Sequence, residues 1–200
     1  AGNTVLGESA LDASVSGGNN TAIGKNALTT LTSGTQNTAV GALSLSKITT
    51  NGTCTAVGYS ALKNNTTGAQ NTALGANALT ALSSGSQNVA VGYNAARQIT
   101  SGINNTAVGW RALDSDQTSS NNTAIGVQAM FANTTGTKNV AVGANALDAN
   151  TTASNNTAVG KDALTANTTG DSNNGFGESA LASNTTGSDN NAFGVNALVT

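Results

Sequence analysis

The stretch from Asn71 to Leu79 reads N-T-A-L-G-A-N-A-L, and versions of it recur along the whole chain. Its glycine belongs to a series with a constant spacing of 17 residues, which we call the glycine column. A fixed period without insertions indicates a repeat architecture. We therefore predict that residues 1–200 form a single repeat array of twelve coils, a slice of a longer fibre. The glycine column comprises Gly7, Gly24, Gly41, Gly58, Gly75, Gly92, Gly109, Gly126, Gly143, Gly160, Gly177 and Gly194.

Two apolar columns accompany the glycine column. The residue immediately before each glycine is always aliphatic or aromatic, and we call these residues the pre-glycine column. The fourth residue after each glycine is nearly always Leu, and we call these residues the leucine column. Two large apolar residues in 17 are too few for an amphipathic helix, which needs about three or four in two turns. The pattern instead predicts an all-β fold, a parallel β-solenoid with one coil per repeat. The pre-glycine column is Leu6, Ile23, Val40, Val57, Leu74, Val91, Val108, Ile125, Val142, Val159, Phe176 and Phe193; the leucine column is Leu11, Leu28, Leu45, Leu62, Leu79, Ala96, Leu113, Met130, Leu147, Leu164, Leu181 and Leu198.

Strand alternation predicts the direction of each side chain. We expect one short strand through N-T-A-V-G, a second through x-N-A-L, and a polar loop that closes the coil. Thr72 and Leu74 then share a face of the first strand. We expect this face to point into the core, because Val89 and Val140 replace the threonine in two coils. The residue between, Ala73 in this coil, would then form an outward surface of Ala and Gly together with the glycine column.

A column of asparagine stands four residues before each glycine. Amides stacked in register can hydrogen-bond to one another along the axis, so we predict an asparagine ladder. Cys54 occupies this column in the fourth coil, and we interpret it as a structural substitution because the chain has no histidine to activate a thiol. The asparagine column is Asn3, Asn20, Asn37, Asn71, Asn88, Asn105, Asn122, Asn139, Asn156, Asn173 and Asn190.

The composition argues against several classes of function. Charged residues make up 8% of the chain, histidine is absent and the net charge is −2. The seven basic residues are scattered singly, so we predict no nucleic-acid partner. The carboxylates form no cluster of the kind that a glycosidase needs, and we interpret Asp114 and Asp116, which share one loop, as a solvated turn rather than a cation site. We predict no catalytic residue, no cofactor and no metal, and we find no apolar run long enough to span a membrane.

The residue after each glycine, the post-glycine column, varies more than its neighbours and is predicted to be exposed. Opposite charges adjoin in it, with Glu8 one coil from Lys25 and Lys161 one coil from Glu178. The column also holds three of the six aromatic residues, and we predict these as candidate surface-binding residues: Tyr59, Tyr93 and Trp110. Two interpretations stay open for them, namely contact with a sister chain and a patch on which a sugar ring stacks.

The motif N-T-A-V-G, with variants such as N-V-A-V-G from Asn88 to Gly92, resembles the S-V-A-I-G core of the head repeats of YadA-like trimeric autotransporter adhesins. It is also similar to the N-T-A-x-G repeats of phage tail fibres and viral surface fibres. The resemblance covers all twelve coils and implies a left-handed parallel β-roll, a homotrimer, and display outside a cell or virion for attachment. The adhesin heads usually have a shorter repeat, and no binding residue carries over from them.

These observations predict a structural and adhesive extracellular fibre segment, the head or shaft of an adhesin or of a viral fibre. We expect a homo-oligomer, a trimer, whose subunits meet along the outward Ala/Gly surface, with a host-surface glycan or protein as a further partner. A self-assembling surface filament is one alternative. An ice-binding β-solenoid is another, disfavoured because the single threonine of each strand is expected to face inward.

Overall fold

The computed structural model describes residues 2–199 and has twelve three-residue β-strands in one parallel sheet. The order of strands in the sheet equals their order in the chain. No helix occurs within residues 2–199, and the predicted parallel β-solenoid is confirmed. The strands are β1 (Thr4–Leu6), β2 (Thr21–Ile23), β3 (Thr38–Val40), β4 (Thr55–Val57), β5 (Thr72–Leu74), β6 (Val89–Val91), β7 (Thr106–Val108), β8 (Thr123–Ile125), β9 (Val140–Val142), β10 (Thr157–Val159), β11 (Asn174–Phe176) and β12 (Asn191–Phe193).

Each strand pairs with the next at a register of 17 residues, so that Thr21 lies opposite Thr38 and the same offset holds in all eleven strand pairs. Hydrogen bonds between coils continue beyond the strands. The backbone N–H of Gly24, for example, donates to the carbonyl oxygen of Leu6 at 2.7 Å. Equivalent residues therefore stack, and every column of the sequence becomes a row along the solenoid.

The two faces of the sheet are the reverse of the prediction. The middle residue of the strand is fully buried in nine consecutive coils, from Ala22 to Ala158. The residues on either side of it are half-buried or exposed in every strand. The prediction that the pre-glycine column and the threonines face the core is therefore wrong, and the alanines expected on an outward Ala/Gly surface are buried from Ala22 to Ala158.

The small cross-section of the coil explains this reversal. The coils from the second to the eleventh already enclose a buried leucine-column side chain; in the fifth coil this is Leu79, and the alanine before it, Ala78, is buried as well. Ala73 of the strand belongs to the same buried cluster. Because protein interiors are close-packed, the strand can add only a methyl group to this space. The larger side chains of Thr72 and Leu74 must then lie on the outer face.

A turn, rather than the predicted second strand, follows each glycine. The glycine column has φ between +124° and +141°, which is a backbone conformation open almost only to glycine. The second and fourth residues after it are also left-handed, with φ of 57° at Asn77 and 51° at Leu79. Alternation of left-handed residues prevents an extended chain. The strain at Leu79 is offset by the complete burial of its side chain.

The asparagine column forms the predicted ladder. The Oδ1 atom of Asn20 accepts hydrogen bonds from the backbone N–H of Asn37 at 2.9 Å and from its Nδ2 at 3.1 Å. Asn20 and Asn37 are buried, so these bonds satisfy polar groups that water does not reach, whereas the buried Nδ2 of Asn156 has no partner. The Cys54 N–H keeps the equivalent bond to Asn37 Oδ1 at 3.1 Å. Its thiol is buried, and desolvation raises the pKa of that thiol.

Candidate functional site

The three predicted surface-binding aromatics lie on the outer surface of the solenoid. Tyr59 is 57% exposed, Tyr93 52% and Trp110 44%. A ladder bond from the Arg111 N–H to the Tyr93 carbonyl oxygen, at 3.1 Å, places Tyr93 and Trp110 in adjacent coils. Ala76 occupies the coil between Tyr59 and Tyr93. The structure therefore places Tyr93 and Trp110 in neighbouring coils and leaves Tyr59 apart from them.

Opposite charges in the post-glycine row pair as predicted. The Lys25 ammonium lies 2.9 Å from the Glu8 carboxylate, and the Lys161 ammonium lies 3.8 Å from that of Glu178. Lys161 also contacts its chain neighbour Asp162 at 2.8 Å. All of these side chains are solvated, so each pair contributes little to stability.

A charged group that the sequence analysis missed adjoins Trp110. The carboxylate of Asp114 is fully buried, and its two oxygens accept one bond each, from Arg97 Nε at 2.8 Å and from Arg111 Nε at 2.9 Å. Arg97 and Asp114 are 17 residues apart, so the spacing that pairs Glu8 with Lys25 could have identified them. That spacing does not indicate that the Asp114 carboxylate is buried.

The Arg111 guanidinium also lies against two aromatic rings. Its central carbon is 5.5 Å from the centroid of the Trp110 ring and 4.5 Å from that of Phe131, which are distances typical of cation–π contacts. Three neighbouring coils thus contribute to one group of side chains on the outer surface. We call this group the arginine–aromatic cluster, and it comprises Tyr93, Arg97, Trp110, Arg111, Asp114 and Phe131.

The other carboxylate of this loop, Asp116, lies inside the coil and is fully buried. It accepts hydrogen bonds from the Ser119 N–H at 2.9 Å, from the Ser119 hydroxyl, and from Asn133 Nδ2 at 3.2 Å. The interpretation of Asp114 and Asp116 as a solvated turn is wrong, because each has its own protein partners that replace water. Within residues 2–199, no three His, Cys, Asp or Glu side chains are grouped so that they could hold a metal ion.

Asp116 stands at one end of a second interior ladder, formed by the residues seven positions after each glycine. Asn150 Nδ2 donates to Asn133 Oδ1 at 2.8 Å, and Asn133 Nδ2 donates in turn to the Asp116 carboxylate. The preceding coil has the apolar Ile99 in this row. An asparagine can also end such a ladder beside an apolar residue, because Asn65 follows Ile48 in the same row and its Nδ2 donates to the carbonyl oxygen of Gly68 at 2.8 Å.

Asp116 should make the stability of the protein depend on pH. Burial raises the pKa of its carboxyl above the ordinary 3.8, against the opposing effect of hydrogen bonds from Ser119 and Asn133. The folded chain therefore holds this proton more tightly than the unfolded chain does. The stabilisation from this proton is fully present at pH values below the pKa of Asp116 in the unfolded chain. It is lost as the pH rises through the pKa of Asp116 in the folded chain. We expect Asp116→Asn to remove that loss and to raise the melting temperature at neutral pH.

Thermal unfolding followed by circular dichroism at a series of pH values measures this effect. Asp162→Asn is the matched control, because the hydrogen bond from Lys161 lowers the pKa of this half-exposed carboxyl and gives a pH dependence of opposite sign. A pH profile of Asp116→Asn that parallels the unmodified protein would contradict the assignment.

A scan against protein-family models, a search of curated proteins and a search of solved structures each returned no match. The stretch that the structure describes also contains no helix with the length and apolar character needed to cross a membrane. The case for a function therefore depends on the geometry of the solenoid and of its outer surface.

Proposed function

We propose that this chain is a segment of an extracellular fibre or adhesin head, which assembles as a homotrimer and performs no catalysis. The observation that carries the proposal is a continuous apolar row on the outer face of the sheet. The pre-glycine side chains form this row along all twelve strands, and the single chain fully buries none of them. Leu6, Leu74 and Ile125 are among its exposed members.

A long exposed apolar row is typical of a protein interface. A second copy of this chain offers an identical row with the same period, so parallel copies can cover one another along their whole length. The proposed interface is the pre-glycine row, in place of the Ala/Gly surface expected from the sequence. The number three and the extracellular location are supported by the resemblance of N-T-A-V-G to the adhesin head repeats.

The contrast between interior and surface supports a display role. The buried rows are nearly uniform from coil to coil, whereas the post-glycine row carries charged, aromatic and small side chains in turn. A scaffold of this kind can vary its surface without changing its fold. A self-assembling surface filament would use the same apolar row. It would differ from the trimer in that its subunits are related by open, helical symmetry rather than by closed symmetry.

Sedimentation velocity on a pair of lysine variants tests this assembly. Ile125→Lys places a charge on the apolar row and is expected to yield folded monomers. Ser101→Lys, at an exposed position of the outer turn, is expected to leave the trimer intact. An unmodified protein that sediments as a folded monomer at micromolar concentration would overturn the proposal, and so would an Ile125→Lys variant that remains trimeric.

Ice binding gains support from one finding and is the second candidate. The threonines of the strands, such as Thr38, Thr72 and Thr106, lie on the outer face beside the apolar row rather than inside the coil. Regularly spaced hydroxyl and methyl groups on a flat sheet are the surface that this function requires. A trimer would cover that face, so a monomer with measurable thermal hysteresis would favour ice binding over the fibre.

A further inference from the structure

We propose that the arginine–aromatic cluster is a binding site for an acidic sugar, whose carboxylate or sulfate group is held by Arg97 and Arg111. The proposal rests on the adhesive function proposed above and names the chemical class of its ligand. It assigns the exposed aromatics to ligand contact rather than to contact with a sister chain.

The cluster has a surplus of positive charge. It holds two guanidinium groups and a single carboxylate, so its net charge is +1 on a chain with a net charge of −2. Asp114 engages only the Nε atom of each arginine. Within residues 2–199, neither arginine donates from its Nη atoms to another protein group. These side chains are 39% and 31% exposed, so their remaining N–H groups are available to a planar anion, which guanidinium groups bind in two-pronged fashion.

Both guanidinium groups are held in place before any ligand arrives. The buried carboxylate of Asp114 holds both arginines, one at each of its oxygens, through the Nε atoms of Arg97 and Arg111. The Arg111 guanidinium also has cation–π contacts with the rings of Trp110 and Phe131. A side chain that is already ordered loses little conformational entropy on binding, which favours affinity.

The aromatic side chains supply the second element of sugar recognition. Tyr93 and Trp110 lie in adjacent coils, about 4.8 Å apart along the axis, and each is roughly half exposed. Their rings present apolar faces against which the C–H groups of a sugar can pack, while the phenol and indole groups can hydrogen-bond to its hydroxyls. The cluster thus places apolar and cationic groups beside one another.

The fold itself does not require these residues. The same turn in the eleventh coil carries Ser179 where Arg111 stands and Ala182 where Asp114 stands, with an equivalent backbone bond, Ser179 N–H to Lys161 O at 2.9 Å. Burial of a carboxylate carries a desolvation cost that a neutral side chain avoids. A binding role accounts for the presence of this charged group in these coils.

Trp110 is the only tryptophan of the chain, so its fluorescence reports directly on the site. We would titrate the assembled protein with two acidic probes, a heparin-derived oligosaccharide for sulfate and an oligogalacturonate for carboxylate. Cellohexaose is the neutral control. At least one acidic probe is expected to shift the Trp110 emission, with an affinity that weakens as salt is added, whereas cellohexaose is expected to have no effect.

Arg97→Gln is expected to weaken binding of the acidic probe about tenfold or more, because it removes one charged donor while Arg111 still pairs with Asp114. Lys138→Gln is the matched control, since it removes one positive charge from an exposed position outside the cluster. Trp110→Ala is expected to lose binding while the oligomer stays intact. Binding to this variant is followed by calorimetry, and circular dichroism verifies that each variant is folded.

Several results would overturn the proposal: no binding of either acidic probe, equal binding of cellohexaose, an equal loss in Lys138→Gln, or dissociation of the oligomer in Trp110→Ala. These outcomes are separable from failure of the proposed function. A trimer that binds no acidic probe contradicts this inference alone. A monomeric protein that binds the acidic probe through Arg97 contradicts the proposed trimer and supports the acidic-sugar site.

Discussion

Gly109→Ala is expected to lower the free energy of unfolding by about 3 kcal/mol or more. Gly109 has φ of +134°, and a methyl group at this position would overlap the carbonyl oxygen of Gly126 in the next coil. Relief of that overlap requires the two coils to separate. Separation would break the ladder bond from the Gly126 N–H to the Val108 carbonyl oxygen, which is 2.8 Å long.

Two control variants separate the causes of this effect. Gly136→Ala lies in the outer turn, where φ is not left-handed but an added methyl group would overlap the carbonyl oxygen of Ala153 in the next coil, so it measures the overlap without the backbone strain. Gly194→Ala has left-handed φ of +124° but no atom within 4 Å of the added methyl group, so it measures backbone strain without the overlap. Urea unfolding followed by circular dichroism gives the three values. We expect the loss in Gly109→Ala to exceed the loss in either control, and a loss no larger than that of Gly136→Ala or of Gly194→Ala would contradict the explanation.

Ala107→Lys is expected to abolish folding, with a loss above about 4 kcal/mol. The Ala107 side chain is completely buried inside the coil. A lysine there would exceed the available volume and would bury a charge without a partner, which is among the most destabilising changes a core can suffer. On the outward Ala/Gly surface expected from the sequence, Ala107 would face a sister chain, and this substitution would disrupt assembly without unfolding the coil.

Ala144→Lys is the matched control for Ala107→Lys. Its position belongs to the post-glycine row, where Lys25 and Lys161 already stand in other coils. We expect a change in stability within about 0.5 kcal/mol, as is usual for surface substitutions. Circular dichroism and sedimentation velocity on both variants make the comparison. A folded, monomeric Ala107→Lys protein would show that the alanine row is an interface after all.

Part of the candidate site could be predicted from the sequence. The period of 17 residues placed Tyr93 beside Trp110, since equal spacing puts equivalent residues in adjacent coils. The same spacing links Arg97 to Asp114 and would have predicted that pair. The approach of Arg111 to the Trp110 and Phe131 rings could not be predicted, because it depends on side-chain directions set by left-handed residues in the turn.

The β-solenoid, its 17-residue register and the asparagine ladder could be predicted from the sequence alone. All three follow from identical residues at a constant period, because in-register stacking repeats every hydrogen bond that one pair of coils can form. The face of the strand that lies inside could not be predicted in this way, because it depends on packing within the coil. Because side chains alternate along a strand, either Ala73 or Leu74 could face the interior with the same backbone geometry. Which of the two does so depends on the volume left beside the Leu79 side chain. The turn sets that volume. Its left-handed φ values occur at Asn77 and Leu79, and because neither residue is glycine, the sequence does not indicate them.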